Sequence, residues 1–378
     1  MKRILLLGAL LLIAAGACTT SPTSRSETAS VESVLKEFER QLRKDVQDDG
    51  LDGSISAAVI KGDKILWSGA FGNADKNSRT PADTSTIYRT GSISKSFTAL
   101  LMMELVDEGI INLTDPVEKF LPEIKKLSGY SDSTRITFAQ LASHTSGLIR
   151  EPELDGAASG PIGQWEEKIL LSIPKTSFGS PPGRRFNYSN IGYGILGLAL
   201  SRAAKKPFID LVKEKIFVPL GMTNSFFIVP DDKKAHLAAG MGGGPFSEID
   251  MDGPRDEHAG RGYKVPNGGI YSTPRDLTRF VMSVMGYHAL VKPDDLQLMQ
   301  TAKLPKGDKY GFGFSLYEDK DISIVEHGGS VAGYTAQIAF ERNSKYGVVL
   351  MRNYNWGHTD LSLRAYALLR DLKKAEGK

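Results

Sequence analysis

Thr90-Gly91-Ser92-Ile93-Ser94-Lys95-Ser96-Phe97 reads as a short turn that opens a helix, with Ser92 at its start and Lys95 one turn on. Residues three apart share a helix face, so the Lys95 amine is expected above the Ser92 hydroxyl. A serine hydroxyl is a weak nucleophile until a neighbouring base takes its proton. A helix start also aims backbone N–H groups at one point, which suits a developing negative charge. The run Leu100-Leu101-Met102-Met103 carries the helix to about residue 108, where Gly109 ends it. A helix apolar nearly all round belongs in the middle of a fold, and a nucleophile at its first turn would be held rigidly there.

Working outward, Val31, Val34, Leu35, Phe38 and Leu42 recur at helical spacing and predict an amphipathic helix over 31–46. Ser54–Ile60 and Lys64–Ala70 read as strands joined by the turn Lys61-Gly62-Asp63. The middle of the chain carries short helices and Pro/Gly breaks. The end returns to strands at Ile322–Glu326, Tyr334–Phe340 and Tyr346–Arg352, with Asn343-Ser344-Lys345 turning between the last two. A helix over Leu361–Leu372 closes the chain. Strands at both ends with helices between predict an α+β fold, one antiparallel sheet built from both chain ends beside a mostly helical insertion.

The 378 residues suffice for one large domain or two modest ones, and 41% hydrophobic with 24% charged residues is ordinary for a soluble globular protein. A formal net charge of +3 without a basic block gives no electrostatic case for nucleic acid binding. The single cysteine, Cys18, excludes an intrachain disulfide, and the six histidines show no metal-ligand spacing. No metal or cofactor is expected. Lys2 and Arg3, the apolar run Ile4–Ala15 and the small residues to Ala17 read as a secretory signal over 1–17. Without it the chain has 45 basic and 44 acidic residues. Residues 19–30 are Ser/Thr-rich and read as a flexible tether. Residues 31–378 are then the folded domain, with the sheet drawn from about 31–90 and 255–378 and the helical part from about 91–254.

Ser-x-x-Lys occurs three times. Ser33/Lys36 lies on the amphipathic surface helix, and Pro174 breaks the turn that would join Ser172 to Lys175. Only Ser92/Lys95 follows a glycine and opens a buried helix. Tyr188-Ser189-Asn190 is the only Tyr-x-Asn, preceded by Arg184 and Arg185. A tyrosine flanked by cations loses its proton more readily, and with Lys95 it would move the Ser92 proton. The Asn190 amide would meet a substrate carbonyl. His327-Gly328-Gly329-Ser330 lies between two strands, and its glycines let backbone approach a ligand closely. The Ser330 N–H would join the Ser92 N–H in holding an oxyanion. Gly192-Tyr-Gly194-Ile-Leu-Gly197 matches a dinucleotide fingerprint by letter, but no strand precedes it. Gly240–Gly244 reads as a loop near the cleft.

The order Ser-x-x-Lys, Tyr-x-Asn, His-x-Gly resembles the serine β-lactamase and penicillin-binding superfamily, above all its class C β-lactamase, D-aminopeptidase and family VIII esterase branch. The likeness covers about residues 31–370 and extends to Leu141-Ala-Ser-His-Thr-Ser-Gly-Leu148, Leu220-Gly-Met-Thr-Asn224, Gly268-Gly-Ile-Tyr-Ser-Thr273 and Tyr310-Gly-Phe-Gly313. It implies a β-lactamase-like fold, Ser92 as nucleophile, Lys95 with Tyr188 as the base pair, and Asn190 orienting substrate. It implies that His327, Gly328, Gly329 and Ser330 form the edge strand along which substrate lies, and that His144 is structural. The leader ending at Cys18 resembles a bacterial lipobox, with Ala15 where leucine is usual. That implies an exported lipoprotein anchored at a membrane through Cys18, the outer membrane in a diderm.

Many members begin the third motif with lysine, a cation for a substrate carboxylate; here it is His327, mostly neutral at pH 7 when free. Arg184 or Arg185 is the expected substitute. The expected activity is acyl transfer from an ester or amide, small-molecule or peptide, through an acyl-enzyme, as in an esterase or D-amino-acid peptidase. The alternatives are a class C-like β-lactamase or D-Ala-D-Ala carboxypeptidase, and an inactive binding protein. Segments 150–180 and 240–262 are expected to rim the cleft.

Overall fold

The structure, a computed structural model, describes residues 30–244, 247–304 and 309–377. The expected leader, Cys18 and nearly all of the tether lie outside the described residues. Among those described, no helix is long and apolar enough to cross a membrane.

Both ends of the chain build one sheet. The first part supplies β1 (Ser54–Lys61), β2 (Lys64–Asp75) and β3 (Thr80–Pro81). A separate two-stranded ladder pairs β4 (Tyr88–Arg89) with β5 (Tyr271–Ser272). The last part supplies β6 (Ser315–Glu318), β7 (Ser323–Val331), β8 (Tyr334–Glu341) and β9 (Tyr346–Arg352). The order is β3-β2-β1-β9-β8-β7-β6, and neighbours run antiparallel. The helices are α1 (Val31–Asp49), α2 (Ser94–Asp107), α3 (Phe138–Ala142), α4 (Trp165–Ser172), α5 (Asn190–Ala204), α6 (Phe208–Val212), α7 (Asp252–Asp256), α8 (Val265–Gly268), α9 (Pro274–Val284), α10 (Pro293–Met299) and α11 (Leu361–Glu376). This is the expected α+β arrangement.

Period-two alternation sorts the sheet's two faces. Ile55, Ala57, Val59, Val348 and Leu350 pack under α1 and α11, whose stripe Val34, Phe38 and Leu42 meets Leu361, Leu368 and Leu372. Val349, Met351, Ile338 and Phe340 face the larger core, shared with α2, α5 and α9. Ser30 caps α1 by accepting the Ser33 N–H, and Gly50 ends the helix in the left-handed region at φ +66°. The hairpin β1–β2 closes on Gly62-Asp63 alone, since Lys61 pairs with Lys64.

Two features position the site. Helix α2 is buried from Ser94 to Leu105, so it runs through the middle of the molecule. Strand β7 pairs with β6 only over Ser323–Glu326. From His327 onward its outer edge is open to the helical part, so the His327–Ser330 stretch is the second half of a strand rather than a link between strands. The glycines of Gly192–Gly197 serve packing. A Cβ at Gly194 would lie 2.9 Å from Tyr263 O, which brings α5 against the segment leading into α8. The Gly240–Gly244 run lies against the sheet: Met241 N donates to Asn353 O at 2.9 Å.

Candidate active site

Ser92 lies on a 3-10 turn, Gly91–Ile93, and α2 begins only at Ser94. The expected first α-helical turn is therefore tighter than a regular helix. Gly91 takes φ +54°, and the Ile93 N–H closes the turn on Thr90 O at 3.3 Å. The ladder β4–β5 anchors the turn from below, helped by the Thr90 N–H donating to Ile270 O at 2.9 Å. Backbone donors at such an opening lack intrahelical partners.

Lys95 is fully buried, and its Nζ lies 3.0 Å from Ser92 Oγ. It also donates to Asn267 O at 3.1 Å. Burial first, then the repulsion of Arg261 and Arg150, holds this amine well below the usual lysine range. The amine form can accept the Ser92 proton. The Tyr188 ring packs beside it, with its centroid 4.9 Å from Nζ.

Tyr188 corrects one expectation. Burial pushes its phenol up to about 12, outweighing the Ser92 hydroxyl and Arg150, which act in the other direction. It is a protonated phenol through the neutral range, suited to giving a proton rather than taking one. His144 is buried against it, ring centroids 4.1 Å apart, and accepts the Ser189 N–H on Nδ1 at 3.0 Å. Burial above all keeps the His144 ring neutral. It fixes the Tyr188–Asn190 segment, as a structural histidine would.

Asn190 stands behind the reacting pair. Its Nδ2 donates to Glu151 Oε1 at 2.6 Å, and its carbonyl accepts from Asn267 Nδ2 at 2.9 Å. The amide that was to meet a substrate carbonyl is thus held by Glu151. The same carboxylate accepts the Tyr263 hydroxyl and lies 3.3 Å from Lys264 Nζ.

The open edge of β7 meets the Ser92 turn through two glycines. A Cβ on Gly91 would lie 2.7 Å from Ser330 N. One on Gly329 would collide with Thr90 O and lie 3.1 Å from Ser92 N. The Ser92 and Ser330 amides therefore flank one seam, as an oxyanion site requires. Gly328 is less confined, its nearest neighbour being the flexible end of Gln337.

His327 departs from the expected role of a substrate reader. Its Nδ1–H donates to Gly328 O at 2.7 Å, and its Nε2 accepts the Tyr310 hydroxyl at 2.9 Å. The ring is 4% exposed, and burial above all lowers it to about 3. Both nitrogens are spent inside the protein, so it offers no cation.

A cleft of about 620 Å³ opens over Ser92, lined by Tyr188, Arg150, Gly329, Ser330, Arg352 and the segment 357–362. Its rim differs from the expected one. Arg150 is there, but 240–262 borders a different cavity, and the second wall is the approach to α11. Asp49, at the end of α1, holds that wall by accepting the His358 and Thr359 N–H groups. Arg184 and Arg185 are exposed and absent from the cleft, Arg185 donating to Gly179 O. The cations of the cleft are Arg150 and Arg352, which the sequence reading passed over. Arg150-Glu151 follows the Leu141–Leu148 motif after the single residue Ile149, and that proximity was the available signal.

The model of the family described as Beta-lactamase matches residues 38–373. Beta-lactamase-like protein 2 of Dictyostelium discoideum is 33% identical over 336 residues, covering 85% of this chain and 59% of that protein. The chain spans 59% to 64% of the length of the first curated relatives it matches. Among solved structures, the octameric penicillin-binding protein homologue from Pyrococcus abyssi is similar at 26% identity and TM-score 0.74, over 88% of this chain and 76% of that one. EstCE1, a hydrolase with promiscuous acyltransferase activity, shares the fold at TM-score 0.78 and 20% identity, over 91% and 99% of the two chains.

Proposed function

Since the chain belongs to the Beta-lactamase family, within the serine β-lactamase and penicillin-binding superfamily of hydrolases, we propose that it cleaves ester or amide bonds through an acyl-enzyme on Ser92. One observation carries the reading: a buried amine, held below its usual range, lies 3.0 Å from a serine hydroxyl at a seam flanked by two backbone amides. In the first step the Ser92 proton passes to Lys95 Nζ while Oγ bonds to the carbonyl carbon. The resulting oxyanion is held by the Ser92 and Ser330 N–H groups. Tyr188, protonated, gives its proton to the leaving group as the carbon–heteroatom bond breaks, and Lys95 restores it. Water then loses a proton to Lys95 and attacks the acyl carbon; as the acyl–oxygen bond breaks, Lys95 returns that proton to Ser92 Oγ and the free enzyme is restored.

The test is a fluorophosphonate probe followed by peptide mass mapping. A covalent adduct on the peptide carrying Ser92 is expected. A protein that stays unlabelled, or is labelled elsewhere, would be a binder or a different enzyme.

A neutral-ester hydrolase is the first reading because His327 supplies no cation. A second reading, a carboxylate-bearing substrate such as a β-lactam or a D-alanyl peptide end, is favoured by Arg150 and Arg352 on the cleft wall. Arg150 is exposed, with its guanidinium over the Tyr188 ring at 5.0 Å. If the second reading holds, Arg150→Met should raise KM for nitrocefin about tenfold, the cost of one lost charged hydrogen bond, with p-nitrophenyl butyrate as the control. Equal changes for both substrates would remove the carboxylate role.

We propose further that the chain is exported and lipid-anchored through Cys18, on the strength of its leader-like start. Cells fed an alkyne fatty acid should yield a labelled protein, and Cys18→Ala should lose the label. A wild-type protein without label would end this proposal.

A further inference from the structure

Behind the site, Lys95 and Arg261 hang on successive carbonyls at the end of α8. Lys95 Nζ donates to Asn267 O at 3.1 Å, and Arg261 NH1 donates to Gly268 O at 3.2 Å. The guanidinium points NH1 end-on at Gly268, where a Cβ would be 2.6 Å from NH1 and 3.9 Å from the carbonyl carbon of Gly91. Gly268 is therefore the spacer between Arg261 and the turn that carries Ser92.

The charge of Arg261 is incompletely matched. Glu257 Oε2 lies 2.9 Å from Arg261 Nε, but the same oxygen accepts Arg89 NH1 at 2.6 Å. Arg89 is itself buried, and its Nε and NH2 have no partner among the described residues, nor does Arg261 Nε find a well-directed one. One carboxylate thus serves two buried guanidiniums. His258 beside them adds no anion; burial and Arg89 lower it to about 4, so it is a neutral ring.

Other groups also face Lys95. Arg150 and Glu151 come from the loop after α3, Lys264 from the turn before α8, and Tyr188 and Tyr193 from the start of α5. The neutral rings of His144 and His327 complete the shell. Glu151 is the acid among them, and it is shared with Lys264, Arg150, Asn190 and Tyr263. The balance around Lys95 is positive.

We infer that Arg261 is a positioning residue whose fixed charge, one peptide unit from the contact of Lys95, keeps that lysine in the free-amine form before substrate arrives. The inference rests on the reading above that Lys95 is the base for Ser92. A guanidinium suits the task because it keeps its charge across the working pH range.

The experiment is the pH dependence of kcat/KM for p-nitrophenyl butyrate, followed at an isosbestic wavelength. Arg261→Met should move the acid limb to higher pH, with a loss of about tenfold near about pH 6 for each unit of displacement, while activity on the alkaline plateau stays close to wild type. Arg261→Lys should restore most of the acid-side activity. Glu257→Gln leaves the arginine in place and removes its counter-charge, so the limb should move to lower pH; it serves where Arg261→Met does not fold. An acid limb that stays put in Arg261→Met, or that moves equally in Arg261→Lys, overturns the inference, as does an upward or absent shift in Glu257→Gln. Failure of wild-type protein to label at Ser92 would instead strike the reading on which the inference depends.

Discussion

Ser92→Ala should lower kcat for p-nitrophenyl butyrate by on the order of 10⁴- to 10⁶-fold, the scale seen when a nucleophile is deleted. The two serines next along the chain are no understudies. Ser94 Oγ accepts the Ile270 N–H and contacts Thr90 Oγ1, and Ser96 Oγ donates to Gly313 O at 2.6 Å. Both are fully buried, whereas Ser92 is half-exposed at the cleft. The fold should be unaffected, because the hydroxyl's hydrogen-bond partner is Lys95, which keeps its bond to Asn267 O. The melting temperature should therefore barely move. Turnover within a factor of about ten of wild type, a small loss on the scale of nucleophile deletion, would mean that the reacting group lies elsewhere.

Gly329→Ala should be the next most damaging change, through geometry alone. The new methyl would meet the Thr90 carbonyl, which is backbone and cannot swing aside. Either β7 or the Gly91–Ile93 turn must move, and the Ser92 and Ser330 amides would separate. Each such donor is worth ~10²–10³ in rate, so a loss of that order in kcat is expected. Slow labelling of Ser92 should persist, because the Ser92–Lys95 pair lies on the other side of the seam. Gly328→Ala is the matched control. Its methyl would meet Gln337 Oε1, the end of a side chain that can turn away. Equal losses in the two variants would mean that the seam is not the site of transition-state stabilisation.

The sheet built from both ends was readable because β-rich runs at each end had clear turns between them; in the fully buried β9, alternate residues join the two cores. Ser92 and Lys95 were readable because three-residue spacing survives the change from an α to a 3-10 turn. Tyr188 was misread in direction. Arg184 and Arg185 are visible beside it in the sequence, but the cation that acts on it is Arg150, and the burial that outweighs that cation is a tertiary property. His327 was misread for a similar reason: its partner Tyr310 lies on a different segment, and only packing joins them. The short ladder β4–β5 left too few residues for any periodicity, though it sets the height of the Ser92 turn. Arg261 and Asn267 were invisible as a pair, since their link to Lys95 runs through backbone carbonyls that every residue possesses.

The pairing of β1 with β9 has a consequence for how the protein comes into being. Ser54 N donates to Asn353 Oδ1, a contact between positions 299 apart. Contacts so distant in sequence make folding slow, and here they cannot begin until almost the whole chain has been made, which takes tens of seconds at roughly 5–20 residues per second. Helix α2 and its serine emerge early, but the strand that completes their seam emerges late. The nascent chain therefore carries Ser92 without its completed seam throughout synthesis, and the proposed activity should appear in one step after β9 is released.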